Sequence, residues 1–363
     1  MKIAIIAHLK YPIAEPFAGG LEMHTHLLAR HLAARGHAVT LFAAEGSDPS
    51  LGLCAVCPPT GTPTDTLEAE RTGLAEHEAY EAIVQAVSRG GFDVVHNNSL
   101  HYLPLSEAHR IDAPMVTSFH CPPFMELENG VAERSRRDIR FVAVSDVVRG
   151  MWEPIVALDE IILNGIDLGL FRPRLTPPET PHAIWFGRLV PEKGAHLAIE
   201  AARMAGMPLR IAGPMIDLAY WREAVEPALG PEITYIGHLS HQALAREVAG
   251  ATVAVITPRW EEPYGLVVAE ALACGTPVAG FARGALPELT DAATGCLAPA
   301  DDVPALARAI RSASVLSRAA CRARAEAHCN ALTMVDRYEA LYRGEMSRFT
   351  AVIVQDVKGR AAE

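Results

Sequence analysis

The chain has 363 residues, and its 32 Lys and Arg against 43 Asp and Glu give a formal net charge of −11. Half of the residues are hydrophobic, which is typical of a folded globular protein and argues against a disordered chain. An acidic chain has no general attraction for nucleic-acid phosphates, so we expect no nucleic-acid partner. No apolar run reaches the roughly 20 residues that cross a bilayer, so we expect no transmembrane segment.

The seven cysteines predict no disulfide framework, because their number is odd and their spacing is irregular. This usage favours a reducing, cytoplasmic location. Cys54 and Cys57 form a C-x-x-C pair, which can be redox-active or supply half of a zinc site. No second pair of cysteines follows. Pro58 and Pro59 stand at the positions where the helix of a thioredoxin-type site would continue. We therefore expect neither a metal nor a redox role for this pair.

Short β-rich runs alternate with helical patterns, which predicts parallel sheets with crossover helices. Residues 2–7 are predicted as a strand and not as a secretory signal, because His8 and Lys10 interrupt the run and no cleavage site follows. Further along this half, the sequence predicts a helix over 21–34 and strands over 39–43, 93–96, 115–119 and 141–144.

Residues 164–181 contain four prolines and little periodicity, which indicates a linker. Beyond it the alternation restarts, with predicted strands over 183–187, 209–212, 233–236 and 253–257, and helices after Gly194 and before Gly275.

The simplest architecture is a pair of doubly wound, Rossmann-like halves that face each other across a cleft. We place a first domain at 1–165, a second at 166–331, and a terminal helix with a tail at 332–363. The cleft is the expected ligand site, because open α/β sheets bind ligands beyond the carboxyl ends of their strands.

The segment EPYGLVVAE, from Glu262 to Glu270, follows a predicted strand of the second half. Gly265 lets the backbone approach a ligand closely, and the N–H groups near Leu266 and Val267 open a helix, which suits a diphosphate. Glu262 and Glu270 lie just over two helical turns apart, so both can face the cleft if the helix begins early. Two carboxylates with a phosphate site between them suit a nucleotide sugar; the alternative is two solvated surface acids.

A second segment, GRLVPEKG, also lies at a strand-to-helix junction. Arg188 supplies a planar fork of donors and Lys193 a mobile point charge, so together they can neutralise a leaving diphosphate. The alternative is a pair of exposed cations beside a turn.

These segments resemble motifs of the retaining glycosyltransferase family 4, which has the GT-B fold. The resemblance spans most of the chain and includes GGLE at Gly19, RGH ending at His37, NGID from Asn164, and GALPELTDAATGCLAP from Gly284 to Pro299. It implies that the terminal helix crosses back from the second domain to pack on the first. Arg283 and Thr257 depart from the family pattern, and residues 347–363 match nothing in it.

The resemblance also assigns roles at the donor site. Glu270 would hold the ribose hydroxyls of a nucleoside-diphosphate-sugar, and Glu262 the hydroxyls of the transferred sugar. Arg188 and Lys193 would bind the diphosphate as the glycosidic bond breaks. Further contacts are implied for the backbone of Gly265, Leu266 and Val267, for Gly19 and Gly20 over the phosphate, for Gly237, His238 and Leu239 at the nucleobase, and for His120 beside the sugar.

His120 is one of 15 histidines, so taken alone it is better explained as a structural side chain; its position after a strand and the resemblance favour the site role. The other histidines of this half include some that can line an acceptor pocket, but we expect most to be surface groups; they are His8, His24, His26, His96 and His101. The basic cluster of Arg134, Arg136, Arg137 and Arg140 is expected to be a solvated helix face. A membrane-docking face is the alternative that we do not favour, because acidic residues are interleaved with it.

The functional hypothesis is metal-independent, retaining transfer of a sugar from a UDP-sugar or related donor to an acceptor hydroxyl. The expected acceptor is a saccharide, a lipid-linked molecule or another small molecule. No cofactor beyond the donor is expected. Two alternatives stay open: a sugar-nucleotide epimerase or hydrolase, and a non-catalytic nucleotide-sugar-binding subunit. A Rossmann dehydrogenase is disfavoured, because no G-x-G-x-x-G follows the first strand.

Overall fold

The computed structural model describes residues 1–360, with side chains for residues 1–351. The chain divides into two compact units. The first comprises Met1–Val144, Val148–Ile162 and the chain from Leu332 onward; the second comprises Ser145–Val147 and Leu163–Ala331. The boundary predicted from the sequence lay between residues 165 and 166.

The first unit is built on one parallel sheet of seven strands. Its elements are β1 (Lys2–Ile6), α1 (Gly20–Ala34), β2 (Ala38–Ala43), β3 (Leu53–Ala55), α2 (Thr66–Gly90), β4 (Val94–Asn97), α3 (Leu103–Ser106), β5 (Met115–Phe119), α4 (Met125–Ala132), β6 (Arg140–Ala143), α5 (Asp146–Trp152) and β7 (Glu160–Ile161). The strand order is β3-β2-β1-β4-β5-β6-β7, so the order reverses between β1 and β4.

The second unit has a parallel sheet of six strands. Its elements are β8 (Ala183–Phe186), α6 (Ala195–Ala205), β9 (Leu209–Ala212), α7 (Leu218–Tyr220), β10 (Ile233–Tyr235), α8 (His241–Gly250), β11 (Val253–Ile256), α9 (Leu266–Ala273), β12 (Val278–Phe281), α10 (Leu286–Leu289), β13 (Gly295–Ala298), α11 (Val303–Ala313) and α12 (Arg318–His328). The order β10-β9-β8-β11-β12-β13 reverses between β8 and β11.

Both sheets are formed by short apolar runs that are buried on both faces, as parallel sheets require. In the first unit, β1 pairs in parallel with β2 and with β4, and α1 packs Leu28 and Leu32 into the core. The predicted class, two parallel-sheet α/β domains, is confirmed.

The terminal helix, α13 (Ala331–Arg360), contributes to the core of the first unit through four of its residues, Met334, Val335, Tyr338 and Tyr342. The predicted segment ended near residue 343, but the helix continues through most of the predicted tail. Residues 361–363 of that tail lie outside the described residues. No helix in the described part of the chain is long and apolar enough to span a membrane.

The basic cluster does not lie on a helix face, so that prediction was wrong. Three of its arginines, Arg134, Arg136 and Arg137, lie in the irregular segment between α4 and β6, and Arg140 begins β6; all but Arg137 are half-buried. Arg136 forms a bidentate ion pair with Asp138 and donates to two backbone carbonyls, while Arg140 pairs with Asp159. The guanidinium groups of Arg136 and Arg140 are thus held by acceptors on other segments, the carbonyls of Ile111 and Ala113 and the carboxylate of Asp159.

Arg318 is the buried anchor of the second unit. It begins α12 and is 5% exposed. Its guanidinium donates to the carbonyls of Ala251 at 2.8 Å and Ala249 at 2.7 Å, to the Thr276 hydroxyl at 3.1 Å, and to the carbonyl of Arg174. One side chain therefore satisfies buried acceptors from three separate segments.

We expect Arg318→Ala to destabilise the second unit by about 3 kcal/mol, because it leaves several buried acceptors without donors. This corresponds to a fall of roughly 6–12 °C in the melting temperature, measurable by differential scanning calorimetry. Arg308→Ala on the neighbouring helix α11 is the matched control, since Arg308 is exposed. Equal shifts for the two variants would contradict the anchoring role.

Candidate active site

The structure brings Lys193 and Glu262 together beyond the carboxyl ends of β8 and β11. Lys193 ends a short 3-10 helix, Pro191–Lys193, and its Nζ lies 2.5 Å from Oε2 of Glu262. The Nε1–H group of Trp260 donates to the same oxygen at 3.0 Å. The Lys193 ammonium also lies 5.0 Å from the centroid of the Trp260 ring. The two strands are those between which the sheet order reverses, where open α/β sheets bind ligands.

Thr257 positions the turn that carries Lys193. Its Oγ1 lies 3.0 Å from the carbonyl oxygen of Lys193 and 2.8 Å from that of Gly194, and it accepts a hydrogen bond from Trp185 Nε1. Gly194 has a φ of +68°, and a Cβ there would lie 2.3 Å from the carbonyl oxygen of Thr257. The close approach therefore requires glycine at position 194, and the departure at Thr257 retains the hydroxyl that makes these contacts.

A second segment holds the loop that carries Glu262. The Ala285 N–H donates to the Glu262 carbonyl at 2.8 Å, and the Gly284 N–H donates to the Glu261 carboxylate at 2.8 Å. A Cβ at Gly284 would lie 2.2 Å from the Glu262 nitrogen, so only glycine fits there. Arg283 lies 3.9 Å from the Glu261 carboxylate, so the residue that departs from the family pattern supports this loop.

Two of the predicted site residues have polar groups with no partner among the described residues. Arg188 is half-buried, and in the described part of the chain its guanidinium forms no hydrogen bond or ion pair. Glu270 is 5% exposed and its carboxyl group likewise has no partner among the described residues. Burial raises the pKa of Glu270 to about 8. A buried polar group without a partner needs an explanation, and a ligand supplies one.

The start of α9 matches the predicted anion site. Gly265 caps the helix with a φ of +87°, and the first intrahelical bonds are those of Val268 and Ala269 to the Gly265 carbonyl. The N–H groups of Leu266 and Val267 therefore lie ahead of the helical hydrogen-bond pattern, as expected for the first turn of a helix. They are available to an anion.

Three glycines follow β8, β9 and β10, namely Gly187, Gly213 and Gly237. Their φ values are +154°, +141° and +91°, and the Gly213 N–H donates to the Gly237 carbonyl at 3.0 Å. A Cβ at Gly213 would lie 1.8 Å from the Gly187 carbonyl oxygen. The segment predicted to contact a nucleobase, Gly237 to Leu239, thus begins at the carboxyl end of the sheet, where three glycines leave the backbone without side chains. His238 is exposed and Leu239 is half-buried.

In the first unit, His120 follows β5 and belongs to a polar cluster around Asn98. Its Nε2 lies 3.2 Å from Asn98 Oδ1, and its ring centroid lies 4.4 Å from that of His24. His96 contacts the same Asn98 oxygen at 2.8 Å. Burial, with smaller contributions from the neighbouring histidines, lowers the pKa of His120 well below its usual value. The imidazole is therefore neutral near pH 7.

The prediction that most of the N-terminal histidines are surface groups was wrong. His8, His24, His96 and His101 are buried. His8 Nε2 lies 3.0 Å from the buried Glu22 carboxylate, which explains how the imidazole is tolerated there. The partners come from other elements, so the local sequence does not reveal them.

Gly19 and Gly20 lie at the start of α1 in the first unit. Gly20 is exposed, and a Cβ at Gly19 would lie 3.0 Å from the Glu22 carboxylate. Gly19 has an extended backbone that any residue adopts, so its small size and not its φ matters here.

Sequence reasoning missed Trp260, Arg283 and Asn98. Trp260 lies two residues before Glu262, so its position just ahead of the motif was the available signal. Arg283 was noted only as a departure, and Asn98 had no signal beyond its place after a strand.

Glu270→Gln tests the burial of this carboxyl group. Burial raises the pKa of Glu270 from 4.5 to about 8, so the folded state binds the proton more tightly than the unfolded state. Stability therefore falls as the pH rises from 4.5 to 8, by up to about 1.4 kcal/mol per pH unit, and glutamine removes this loss. Without nucleotide, we expect the variant to melt close to wild type at pH 5 and above it at pH 8.5.

Glu200→Gln, at an exposed position of α6, is the control for the loss of one charge. A stabilisation of Glu270→Gln that is equal at the two pH values would contradict the titration.

The comparisons with known proteins agree with this geometry. The family model described as Glycosyltransferase Family 4 matches residues 18–170, and that described as Glycosyl transferases group 1 matches residues 180–314. Glycogen synthase of Mycobacterium tuberculosis (strain CDC 1551 / Oshkosh) is 29% identical over 357 residues, which cover 81% of this chain and 82% of that protein.

Among solved structures, sucrose-phosphate synthase from Thermosynechococcus elongatus has a TM-score of 0.79 and 24% identity, covering 96% of this chain and 99% of that one. Anabaena Alr3699/HepE in complex with UDP and glucose has a TM-score of 0.73 and 18% identity, covering 95% and 100% of the two chains. These likenesses show the GT-B fold. The chain belongs to glycosyltransferase family 4 and is a glycosyltransferase.

Proposed function

We propose that this enzyme transfers a sugar from a nucleoside-diphosphate-sugar, preferably a UDP-sugar, to an acceptor hydroxyl with retention of configuration. One observation carries the proposal: Lys193 and Glu262 are held in contact at the sheet edge that also bears Arg188 and the start of α9. Cations for a diphosphate and a carboxylate for sugar hydroxyls thus share one edge. The UDP found in the Anabaena structure supports the choice of donor.

Lys193 can serve the diphosphate without leaving Glu262. An ammonium group has three donors, and one is used in the ion pair. The remaining donors, the Arg188 guanidinium and the N–H groups of Leu266 and Val267 bind phosphate oxygens. Their charge stabilises the leaving diphosphate as the glycosidic bond breaks, a role of preorganised electrostatics. These groups take the place of a metal ion in the proposed mechanism.

Glu262 has one oxygen in use and one available. Oε2 accepts from Lys193 and from Trp260, which leaves Oε1 for a hydroxyl of the transferred sugar. Glu270 holds the ribose hydroxyls, whose hydrogen bonds compensate for the burial of its carboxyl group. Because His120 is neutral, its imidazole can donate or accept a hydrogen bond, and we propose that it binds a hydroxyl of the transferred sugar. Gly20 is proposed to let the backbone approach the phosphate.

In the proposed reaction the anomeric carbon loses its bond to the diphosphate oxygen and gains a bond to the acceptor oxygen on the same face. The acceptor proton passes to the leaving phosphate. We propose a saccharide, lipid-linked or small-molecule acceptor and a cytoplasmic location.

A donor screen tests this function. We expect UDP to raise the melting temperature more than GDP, ADP or dTDP at equal concentration, since a ligand bound to the folded state stabilises it. With UDP-glucose and an acceptor mixture, NMR of the product should show the donor's anomeric configuration. Donor consumption that is unchanged without acceptor would indicate an epimerase or hydrolase. Binding without turnover would indicate a non-catalytic subunit.

Arg188→Ala and Lys193→Ala should each lower kcat by about 10²- to 10³-fold, because each removes positive charge from the leaving group. The melting temperature should change little for Arg188→Ala, since its guanidinium has no partner in the described part of the chain. Steady-state kinetics with saturating UDP-sugar give the readout. Arg222→Ala, at an exposed position of the same unit, is the control, and rates near wild type in either site variant would contradict the charge assignment.

A further inference from the structure

The loops that follow the first five strands of the first unit contain one cationic residue. Across residues 7–19, 44–65, 98–102 and 120–124, Lys10 is the single Lys or Arg. The same segments contain four carboxylates, Glu15, Glu45, Asp48 and Asp65. These loops therefore lack the arginine forks that bind phosphate groups in proteins.

Carboxylates from two helices face the segment that carries Lys10. The Gly61 N–H donates to the Lys10 carbonyl at 2.9 Å, and the neighbouring Thr60 hydroxyl donates to Glu76 of α2 at 2.6 Å. Burial and the charge of Glu76 raise the pKa of Glu126 on α4, while Lys10 opposes the rise. The single cation is thus matched against two carboxylates, and the surface keeps a negative balance.

An aromatic layer borders these carboxylates. The ring of His101 stacks between the rings of Tyr80 and Tyr102. The distance between ring centroids is 4.4 Å to Tyr80 and 4.5 Å to Tyr102, and the interplanar angles are 18° and 26°. His101 Nε2 lies 3.4 Å from Glu126 Oε1. Burial lowers the pKa of His101 to about 4, so this ring adds no positive charge at neutral pH. Tyr102 is half-buried and keeps part of its ring accessible.

Sugar and polyol rings match this combination. Their C–H faces pack on aromatic rings, and their hydroxyls donate to carboxylates, which only accept hydrogen bonds. An amino group gains a charge-assisted hydrogen bond from the same carboxylates. A phosphate group, by contrast, would meet two carboxylates with one cation to offset them, and like charges in a partly buried site are costly.

We propose that Lys10, Glu76, Tyr102 and Glu126, with the buried His101 ring behind Tyr102, form an acceptor surface that selects an uncharged or amino-bearing sugar or polyol over a phosphorylated one. The inference rests on the proposed function, because it assigns the acceptor of that reaction. The inferred acceptor selectivity differs from that of sucrose-phosphate synthase, whose name specifies a phosphorylated product.

Binding to the full chain saturated with UDP tests the selectivity. The probes are D-glucose, D-glucosamine and D-glucose 6-phosphate, and saturation-transfer NMR gives the dissociation constants. We expect glucosamine and glucose to bind at least tenfold more tightly than glucose 6-phosphate. Equal or tighter binding of glucose 6-phosphate, or no binding of glucose and glucosamine, would overturn the proposal.

Charge-neutral variants identify the residues responsible. In the double variant Glu76→Gln and Glu126→Gln, the affinity for glucose 6-phosphate should rise at least tenfold and the glucosamine preference should shrink. Glu78→Gln, at an exposed position of α2, is the matched control and should change neither. An unchanged ratio of affinities in the double variant would overturn the assignment to this surface.

UDP affinity, measured on the same samples, reports on folding and separates the two proposals. If wild type does not bind UDP, the donor assignment fails. If wild type binds UDP but prefers glucose 6-phosphate, only the acceptor inference fails.

Discussion

The ion pair between Lys193 and Glu262 is the interaction on which the donor-site geometry depends. The two side chains are 21% and 15% exposed, so each charge would be costly to bury alone and the pair stabilises both. The backbone at both residues is also held in place. The Thr257 hydroxyl binds the loop that carries Lys193, and the Gly284–Ala285 backbone binds the loop that carries Glu262. A cation and a carboxylate are therefore oriented before any ligand binds, which is what electrostatic preorganisation requires.

The same unit holds two other polar side chains, Glu270 and Arg188, that have no hydrogen-bond partner among the described residues. Glu270 is buried, which raises the pKa of its carboxyl group, and Arg188 is half-buried. Proteins depart from local consistency mainly at functional sites, where selection retains groups that a purely structural design would pair or replace. The contrast with Arg318, whose guanidinium meets four acceptors in the same unit, shows that this fold can satisfy a buried cation where no ligand is needed.

Much of the fold and the donor motifs could be predicted from the sequence, because buried parallel strands are continuous apolar runs and the motifs follow them directly. Four strands were not predicted, β3, β7, β12 and β13; of these, β3 and β7 have only two or three residues, which carry no periodic signal. The histidines were misjudged for a different reason. The partners of His96 include Tyr342, 246 positions away, so its burial follows from tertiary packing and not from its neighbours. Trp260 and Arg283 likewise gain their roles from contacts across loops.

Residues 1–165 hold 12 Lys and Arg against 21 Asp and Glu, whereas the rest of the chain holds 20 against 22. This uneven charge bears on the proposed roles of the two units. The donor carries the diphosphate, and the cations proposed to bind it, Arg188 and Lys193, lie in the second unit. If the loops of the first unit also offered a cationic pocket, the donor or its nucleotide product could bind there and block the acceptor. Loops that are rich in carboxylates and have Lys10 as their single Lys or Arg repel the phosphates of the donor and of the nucleotide product. This repulsion gives specificity without an extra contact to the correct ligand. In the proposed reaction, the negative charge of residues 1–165 thereby serves selection between the donor and the acceptor.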